Sequence, residues 1–304
     1  MGKIAFVFAG QGAQSVGMGK DLYEYSEAAK LVFDRAESIK SGLKSLCFDG
    51  PLEELNITVN TQPCLFTMNL ACAAALTEKG ILAEGIAGFS LGEIPALCYS
   101  GIMSEAQGFD FVCRRAEAMH ECALENKGMM FAVLKLSADN AEKVCSLVDR
   151  AYPVNYNCPG QTVVACAAES AEALKNVVSE AGGRALPLAV SGAFHSPLMD
   201  NASDKMAAYL EEEDIHAMNI PIYSNVTAKI YEEPKKLLAE QINHPVLWQK
   251  TIENMIADGF DIFIEVGAGK TLSGLIKKIN STVSIYNVSD SKSLETTISE
   301  VKNA

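Results

Sequence analysis

The stretch "AEGIAGFSLGEIPALCYSG", residues 83–101, places Ser90 between Gly88 and Gly92 in a Gly-x-Ser-x-Gly pattern. A short apolar run precedes the serine, and a helix-forming run follows it. This order is typical of a nucleophile elbow, in which glycines permit a sharp strand-to-helix turn that exposes the hydroxyl. The pattern predicts a serine nucleophile, so the rest of the sequence must supply a base and an oxyanion hole.

The composition narrows the class of protein. A chain of 304 residues with 49% hydrophobic content can form one large α/β domain, or a large domain with a smaller one. No window approaches a membrane span and the N-terminal apolar run is too short for a signal peptide, so we expect a cytoplasmic protein. Nine cysteines without a C-x-x-C pair are typical of reduced core residues. The net charge of −13 argues against nucleic acid or an anionic membrane as a partner.

The order of apolar runs predicts an α/β fold with two parts. Strand-like and helical stretches alternate up to about residue 127, as in a parallel sheet, with helices over about 21–40, after Pro63 and over 104–126, where Ser104 is the N-cap. Residues 128–191 then follow a β-α-β-β-α-β pattern, which is ferredoxin-like. We therefore predict a catalytic domain of residues 1–127 and 192–304, with an inserted subdomain of residues 128–191. A helix near Pro197 and a strand over 221–225 resume the large domain.

The search for the base of Ser90 is short because the chain has only four histidines. His120 lies on a helix among glutamates, His216 follows an acidic run, and His244 precedes a proline in a loop. His195, in "VSGAFHSPLM", stands where the insert returns the chain to the large domain, a place where histidines often face a cleft. The alternative is a junction histidine that bonds only to backbone groups.

No acidic residue stands out as the third member of a triad. Glu93 follows the elbow, where we expect it to be solvated or to cap the helix. A backbone carbonyl can hold the imidazole tautomer instead.

Two consecutive arginines, Arg114 and Arg115, lie on the helix predicted over 104–126. Helix geometry places Arg115 beside the apolar stripe and Arg114 on the opposite face. A buried arginine needs an anionic partner, because an unpaired buried charge is costly. The sequence leaves two partners open, a protein acid in a structural ion pair or a substrate carboxylate.

With these residues identified, the chain resembles the malonyl-CoA:acyl carrier protein transacylases of type II fatty acid synthesis and the related acyltransferase domains of polyketide synthases. The resemblance covers nearly the whole chain. It rests on motifs in the family's order: "FVFAGQGAQSVGMG", "GPLEELNITVNTQP", "GFSLGE", "RAEAM", "VNYNCPGQTVVA", "GAFHSPLM", "HPVLW" and "EVGAGKTLSGL". It implies a large α/β-hydrolase-like domain with a parallel sheet and the ferredoxin-like subdomain inserted in it.

The resemblance implies a ping-pong acyl transfer. Ser90 would take malonyl from malonyl-CoA as an ester and pass it to the phosphopantetheine thiol of holo acyl carrier protein, with His195 as general base and acid. Such a reaction needs no cofactor or metal, because the coenzyme A thioester is itself a substrate. The product would supply fatty acid or polyketide synthesis, and we expect a monomer.

The resemblance also assigns the remaining site residues. The backbone N–H groups of Gln11 and Leu91 would form the oxyanion hole, and Arg115 would clamp the malonyl carboxylate. Leu247, in "HPVLW", would offer the backbone carbonyl that orients His195.

Two phenylalanines bear on acyl selection. Phe194 matches the family position where Phe accompanies malonyl and Ser accompanies methylmalonyl, because the larger side chain excludes a branch methyl. Phe89 departs from the family, which usually has His before the serine. We expect this change to alter the rate or the acyl preference and to leave the reaction intact.

Three other functions compete with this hypothesis. A serine esterase or thioesterase would use the same elbow and histidine, although it would not need Arg115. The segment "GAGKT" is similar to the end of a phosphate-binding loop, but that pattern requires glycine where Ile264 stands. A non-enzymatic protein that binds carrier protein is suggested by Phe89 alone, and the other site residues argue against it.

Overall fold

The chain forms two separate β-sheets in the computed structural model, which describes residues 2–303. A five-stranded sheet has the order β7-β2-β1-β8-β9, and a four-stranded sheet has the order β4-β5-β3-β6. The strands are β1 (Lys3–Phe8), β2 (Gly85–Gly88), β3 (Gly128–Leu134), β4 (Ala151–Cys158), β5 (Gln161–Ala167), β6 (Arg184–Pro187), β7 (Ile222–Tyr223), β8 (Phe260–Val266) and β9 (Ser284–Val288).

Helices connect and cover these sheets. They are α1 (Lys20–Tyr25), α2 (Glu27–Ile39), α3 (Leu43–Asp49), α4 (Leu52–Leu55), α5 (Thr58–Glu78), α6 (Glu93–Ser100), α7 (Glu105–Glu125), α8 (Ala138–Ser146), α9 (Ala171–Glu180), α10 (Asp200–Glu211), α11 (Pro234–Glu240), α12 (Trp248–Ala257), α13 (Thr271–Ile279) and α14 (Ser291–Asn303). Among the described residues, no helix is both long and apolar enough to cross a membrane.

The five-stranded sheet is parallel throughout and carries the predicted elbow. Strand β1 pairs with β2 on one side and with β8 on the other, in parallel register. Five of the six residues of β1 are buried, as expected for a strand covered by helices on both faces. Because neighbouring parallel strands end at the same edge, the segments that follow β1, β2 and β8 lie side by side there.

The four-stranded sheet is antiparallel and has the strand order of a ferredoxin-like fold. Its strands fall within residues 128–187, inside the predicted insert of 128–191, and the domain boundaries themselves stay a prediction. One face, which includes Phe131 and Val164, packs against helices α8 and α9. The other face, which includes Met130 and Val163, joins the hydrophobic core of the large domain. The predicted fold class, a parallel sheet with a second antiparallel unit, is confirmed.

Local differences from the predicted helices have physical causes. The helix expected over 21–40 is interrupted at Ser26, whose side chain caps α2 by accepting from the Ala29 N–H. The helix expected after Pro63 begins earlier, at Thr58, because α5 is buried along most of its length and this packing outweighs the hydrogen bond that proline cannot donate. Ser104 caps α7 in a capping box, as predicted. Near Pro197 a single 3-10 turn precedes α10.

Glu265 ties the end of β8 to the start of α13. Its buried carboxylate accepts hydrogen bonds from the N–H of Leu272 at 3.0 Å and from the N–H and hydroxyl of Ser273 at 2.7 Å each. The first N–H groups of a helix have no partner within the helix, so this side chain supplies one. The "GAGKT" segment is accordingly the turn between a strand and a helix.

We expect Glu265→Ala to lower the free energy of unfolding by about 1–3 kcal/mol, because it leaves buried N–H groups without an acceptor. Urea unfolding monitored by circular dichroism measures the change. Glu265→Gln is the matched control, because it keeps one carbonyl oxygen and should lose less. An equal loss in both variants would show that the hydrogen bonds to α13 are not the cause.

Candidate active site

The elbow forms as the sequence predicts. Strand β2 ends at Gly88, and Ser90 opens a 3-10 turn that leads directly into α6. Ser90 has φ of 51°, a left-handed conformation that costs energy in a residue other than glycine. A Cβ at Gly88 would meet the backbone of Gly92, and one at Gly92 would meet the carbonyl of Phe8. Gly88 is therefore required by the close return of the turn onto the end of β2, and Gly92 by the close approach of the turn to β1.

Asn225 fixes the backbone of the elbow. The Ser90 N–H donates to Asn225 Oδ1 at 2.7 Å, and Asn225 Nδ2 donates to the Gly88 carbonyl at 2.6 Å. Strand β7 stops at Tyr223, two residues short of the predicted end, so Asn225 lies beyond the ladder and bonds the elbow through its side chain. In the sequence, this role is marked only by a polar residue at the end of a strand-like run.

His195 is the histidine that meets the nucleophile. Its Nε2 lies 2.6 Å from Ser90 Oγ, and its Nδ1 lies 2.7 Å from the backbone carbonyl of Gln241. A carbonyl can only accept, so Nδ1 carries the proton and Nε2 is left to accept from the serine hydroxyl. Burial, and secondarily the charge of Arg115, lowers the pKa of His195 to about 3, so the imidazole is neutral at pH 7.

The prediction that Leu247 orients the histidine is wrong. The Leu247 carbonyl accepts from the N–H and the hydroxyl of Thr251, because it lies at the start of α12, where carbonyls enter the helical ladder. Gln241 instead follows the last residue of α11, and carbonyls at a helix end lack a helical partner. Its backbone oxygen is therefore free to accept from His195.

The expectation that Glu93 is solvated or caps the helix is also wrong. Its side chain is 0% exposed, and burial raises the pKa of its carboxyl to about 7 against the opposing effect of its hydrogen bonds. Oε1 accepts from the Asn225 N–H at 2.8 Å, and Oε2 accepts from Gln241 Nε2 at 2.6 Å. Glu93 makes no hydrogen bond to His195, so it is not the third member of a triad.

The two arginines separate as helix geometry predicts. Arg115 is 1% exposed, whereas Arg114 lies on the surface and pairs with Asp110 at 2.8 Å. The guanidinium of Arg115 donates to two neutral amide oxygens, Gln62 Oε1 and Gln241 Oε1, at 2.7 Å each. Its Nε has no hydrogen-bond partner among the described residues. Burial lowers the pKa of Arg115 to about 10, so the group stays charged at neutral pH.

A cavity of about 260 Å³ joins these groups. Ser90, Arg115 and His195 line it together, and the inner face of the antiparallel sheet forms its opposite wall through residues such as Ala132 and Val163. The cavity thus lies between the two sheets, where the nucleophile and the buried cation face one space.

Two further predicted site residues line the same cavity. Gln11 lines it from the loop after β1, and Phe194 lines it as a buried side chain next to the histidine. Leu91 is buried directly after the nucleophile, and its N–H as a donor of the oxyanion hole stays a prediction. Phe89 also lines the cavity and packs edge-on against Trp248, with ring centroids 5.4 Å apart.

Comparison with known proteins agrees with this geometry. Residues 5–303 match the family model described as "Acyl transferase domain". Together with the fold, this match defines the protein as an acyltransferase enzyme.

Its relatives define the family more narrowly. The malonyl CoA-acyl carrier protein transacylase of Bacillus subtilis (strain 168) is 41% identical over 99% of this chain and 98% of its own. The crystal structure of the enzyme of that name from Clostridium perfringens has a TM-score of 0.96 at 38% identity, covering 99% of this chain and 98% of its own. A malonyl-transacylase in complex with a holo type II PKS acyl-carrier protein has a TM-score of 0.94 at 35% identity, covering 98% of this chain and 99% of its own. The chain belongs to the malonyl CoA-acyl carrier protein transacylase family.

We expect no loss of Ser90 reactivity from protonation of His195 between pH 8 and pH 5. A base with a pKa of about 3 stays neutral over this range. A histidine with the ordinary pKa of about 6.5 would make the rate fall roughly 30-fold by pH 5. The measurement is the rate of Ser90 labelling by a neutral sulfonyl fluoride, followed by intact mass, with Ser90→Ala as the unlabelled control and circular dichroism to verify folding. A midpoint near 6.5 that persists in Glu93→Gln, which removes the other buried group titrating in this range, would contradict the buried environment of His195.

Proposed function

We propose that the protein transfers malonyl from malonyl-CoA to the phosphopantetheine thiol of holo acyl carrier protein through a malonyl ester on Ser90. The names of its relatives support the two substrates. The geometry of Ser90 and His195 supports a covalent route. The product would supply fatty acid or polyketide synthesis, and we place the reaction in the cytoplasm.

The environment of Arg115 is the observation that supports malonyl as the transferred acyl group. The guanidinium is buried and lines the cavity that Ser90 also lines, yet it forms no ion pair with a carboxylate of residues 2–303. A buried cation whose hydrogen bonds go only to neutral amides has no anion in direct contact, and a planar guanidinium suits a carboxylate best. Malonyl provides that carboxylate at its far end, whereas acetyl does not. A structural ion pair, the other partner left open by the sequence, has no support.

The first half-reaction follows from the hydrogen bonds of the free site. His195 Nε2 takes the proton of Ser90 as Oγ attacks the thioester carbonyl, and the carbonyl oxygen becomes an oxyanion. The N–H groups of Gln11 and Leu91 would stabilise that oxyanion. When the carbon–sulfur bond breaks, His195 returns the proton to the coenzyme A thiolate, and malonyl remains on Ser90.

The second half-reaction reverses these steps with a different thiol. His195 takes the proton of the phosphopantetheine thiol, and the sulfur attacks the malonyl ester. The ester bond breaks, and Ser90 Oγ recovers the proton from His195. Each step conserves atoms and charge with side chains and backbone groups alone, so we propose that the protein needs no metal or prosthetic group.

We expect Arg115→Ala to lose malonyl transfer, because the malonyl carboxylate would enter a mostly apolar cavity without its partner. Truncating one member of a desolvated charge pair commonly costs about 2–5 kcal/mol, which corresponds to a loss of roughly 30-fold or more. Acylation by acetyl-CoA should stay level or rise, because the unpaired charge that disfavours acetyl is gone. The measurement is kcat/KM for both thioesters, with acyl-Ser90 detected by intact mass.

Arg114→Ala is the matched control, since it removes an exposed arginine from the same helix and should change neither rate. Ser90→Ala defines the background, because it should form no adduct. An equal fall for malonyl and acetyl in folded Arg115→Ala would mean that the arginine is structural, which would refute malonyl as the selected group.

We also expect salt to weaken transfer to carrier protein more than acylation by coenzyme A. Carrier proteins of this family are acidic, so their docking requires local positive charge on a chain whose net charge is negative. Arg184 on β6 and Lys277 and Lys278 on α13 are exposed, and other residues of α13 line the cavity. Charge reversal at all three should raise KM for carrier protein, with KM for malonyl-CoA as the internal control. An unchanged KM for carrier protein would move the docking site elsewhere.

A further inference from the structure

Glu93 is a buried carboxylate to which the proposed reaction gives no role. It is the first residue of α6, directly after the elbow, and its oxygens accept from Asn225 N and Gln241 Nε2. It forms no ion pair with a lysine or arginine of the described chain. Burying an ionisable carboxyl is costly, so its position beside the nucleophile calls for a physical reason.

Gln241 links this carboxylate to the arginine. Its Nε2 donates to Glu93 Oε2 at 2.6 Å and to the Ser90 carbonyl at 2.7 Å, and its Oε1 accepts from Arg115 Nη2 at 2.7 Å. The two ends of an amide differ only in which one donates. Two acceptors around Nε2 therefore determine that the oxygen, and not the NH₂ group, faces the guanidinium.

The arginine consequently keeps donors for a ligand. A guanidinium has five N–H donors, and hydrogen bonds to Gln62 and Gln241 use two of them. The Nε–H is among those that remain. A carboxylate in direct contact would occupy one edge of the planar group bidentately, which is the edge that a substrate carboxylate needs.

We propose that Glu93 is a positioning residue for acyl selection: through Gln241 it orients the Arg115 guanidinium without pairing with it, which leaves the cation free for a substrate carboxylate. The inference rests on the proposed function, because it explains how the site keeps its cation for malonyl. The carboxyl group of Glu93 lies one amide away from the guanidinium. That separation leaves the binding edge of the cation unoccupied.

Two isosteric variants test this arrangement: one removes the Glu93 carboxylate, and the other places a carboxylate in direct contact with Arg115. Glu93→Gln keeps an acceptor for Asn225 N but presents an NH₂ group to Gln241 Nε2, so the Gln241 amide must turn or move and Arg115 loses its acceptor. Gln62→Glu places a carboxylate directly at Arg115 Nη1, and among the described residues it otherwise removes only a 3.6 Å contact to Met119 Sδ. We expect each variant to lower the ratio of kcat/KM for malonyl-CoA to that for acetyl-CoA by at least tenfold.

Glu265→Gln is the matched control. It removes another buried carboxylate at the same cavity, one that caps α13 and makes no contact with Arg115, so it should leave the malonyl-to-acetyl ratio unchanged. Circular dichroism establishes that each variant is folded. The malonyl-to-acetyl ratio is measured because a purely structural role of Glu93 would lower kcat/KM equally for both thioesters.

The outcomes separate the two levels of the hypothesis. A wild-type protein that does not prefer malonyl refutes the proposed function, and the inference with it. The inference alone is refuted if the wild-type protein prefers malonyl and Glu93→Gln lowers kcat/KM equally for both thioesters. If Glu93→Gln does not fold, Gln62→Glu decides, and a ratio within twofold of wild type overturns the role of the distant carboxyl group.

Discussion

The hydrogen bonds of Gln241 connect the functional groups of the site. Its backbone carbonyl accepts from His195, its side-chain oxygen accepts from Arg115, and its side-chain nitrogen donates to the Ser90 carbonyl and to Glu93. A buried polar group must find partners for each donor and acceptor, and here those partners are the groups of the proposed reaction. The position of the base and the position of the cation therefore depend on a single residue at the end of α11.

The parts of the site that the sequence predicted depend on local patterns. Ser90 is recognisable because a sharp turn between a strand and a helix requires glycines at fixed spacing. Arg115 is distinguishable from Arg114 because a helix places consecutive residues about 100° apart, so only one of them borders the apolar face. His195 could be selected among few histidines by its place at a junction, and the alternating pattern predicted both sheets. All of these features depend on contacts within one segment or on the order of segments along the chain.

The parts of the site that could not be predicted from the sequence depend on contacts between distant segments. Asn225 bonds to Ser90 across a separation of 135 residues, and only the folded sheet brings the end of β7 to the elbow. The error at Leu247 has a different cause, because every residue carries a backbone carbonyl and the side chain does not reveal which one is free. Where α11 ends and α12 begins determines the answer, and helix ends are the least certain feature of a sequence. The burial of Glu93 likewise follows from packing that no local pattern encodes.

Because Arg115 lies near His195, the choice of acyl group affects the proton transfer from Ser90. The charge of Arg115 is one of the two causes that lower the pKa of His195, the larger being burial. Under the proposed function, the malonyl carboxylate neutralises that charge, so the repulsion that disfavours a protonated imidazole weakens and the pKa of His195 rises in the complex. Proton transfer from Ser90 then becomes more favourable when malonyl occupies the cavity, whereas acetyl leaves the cation unpaired and the base weak. The same guanidinium therefore discriminates in the transition state as well as in binding, which is where discrimination raises the rate for the correct substrate.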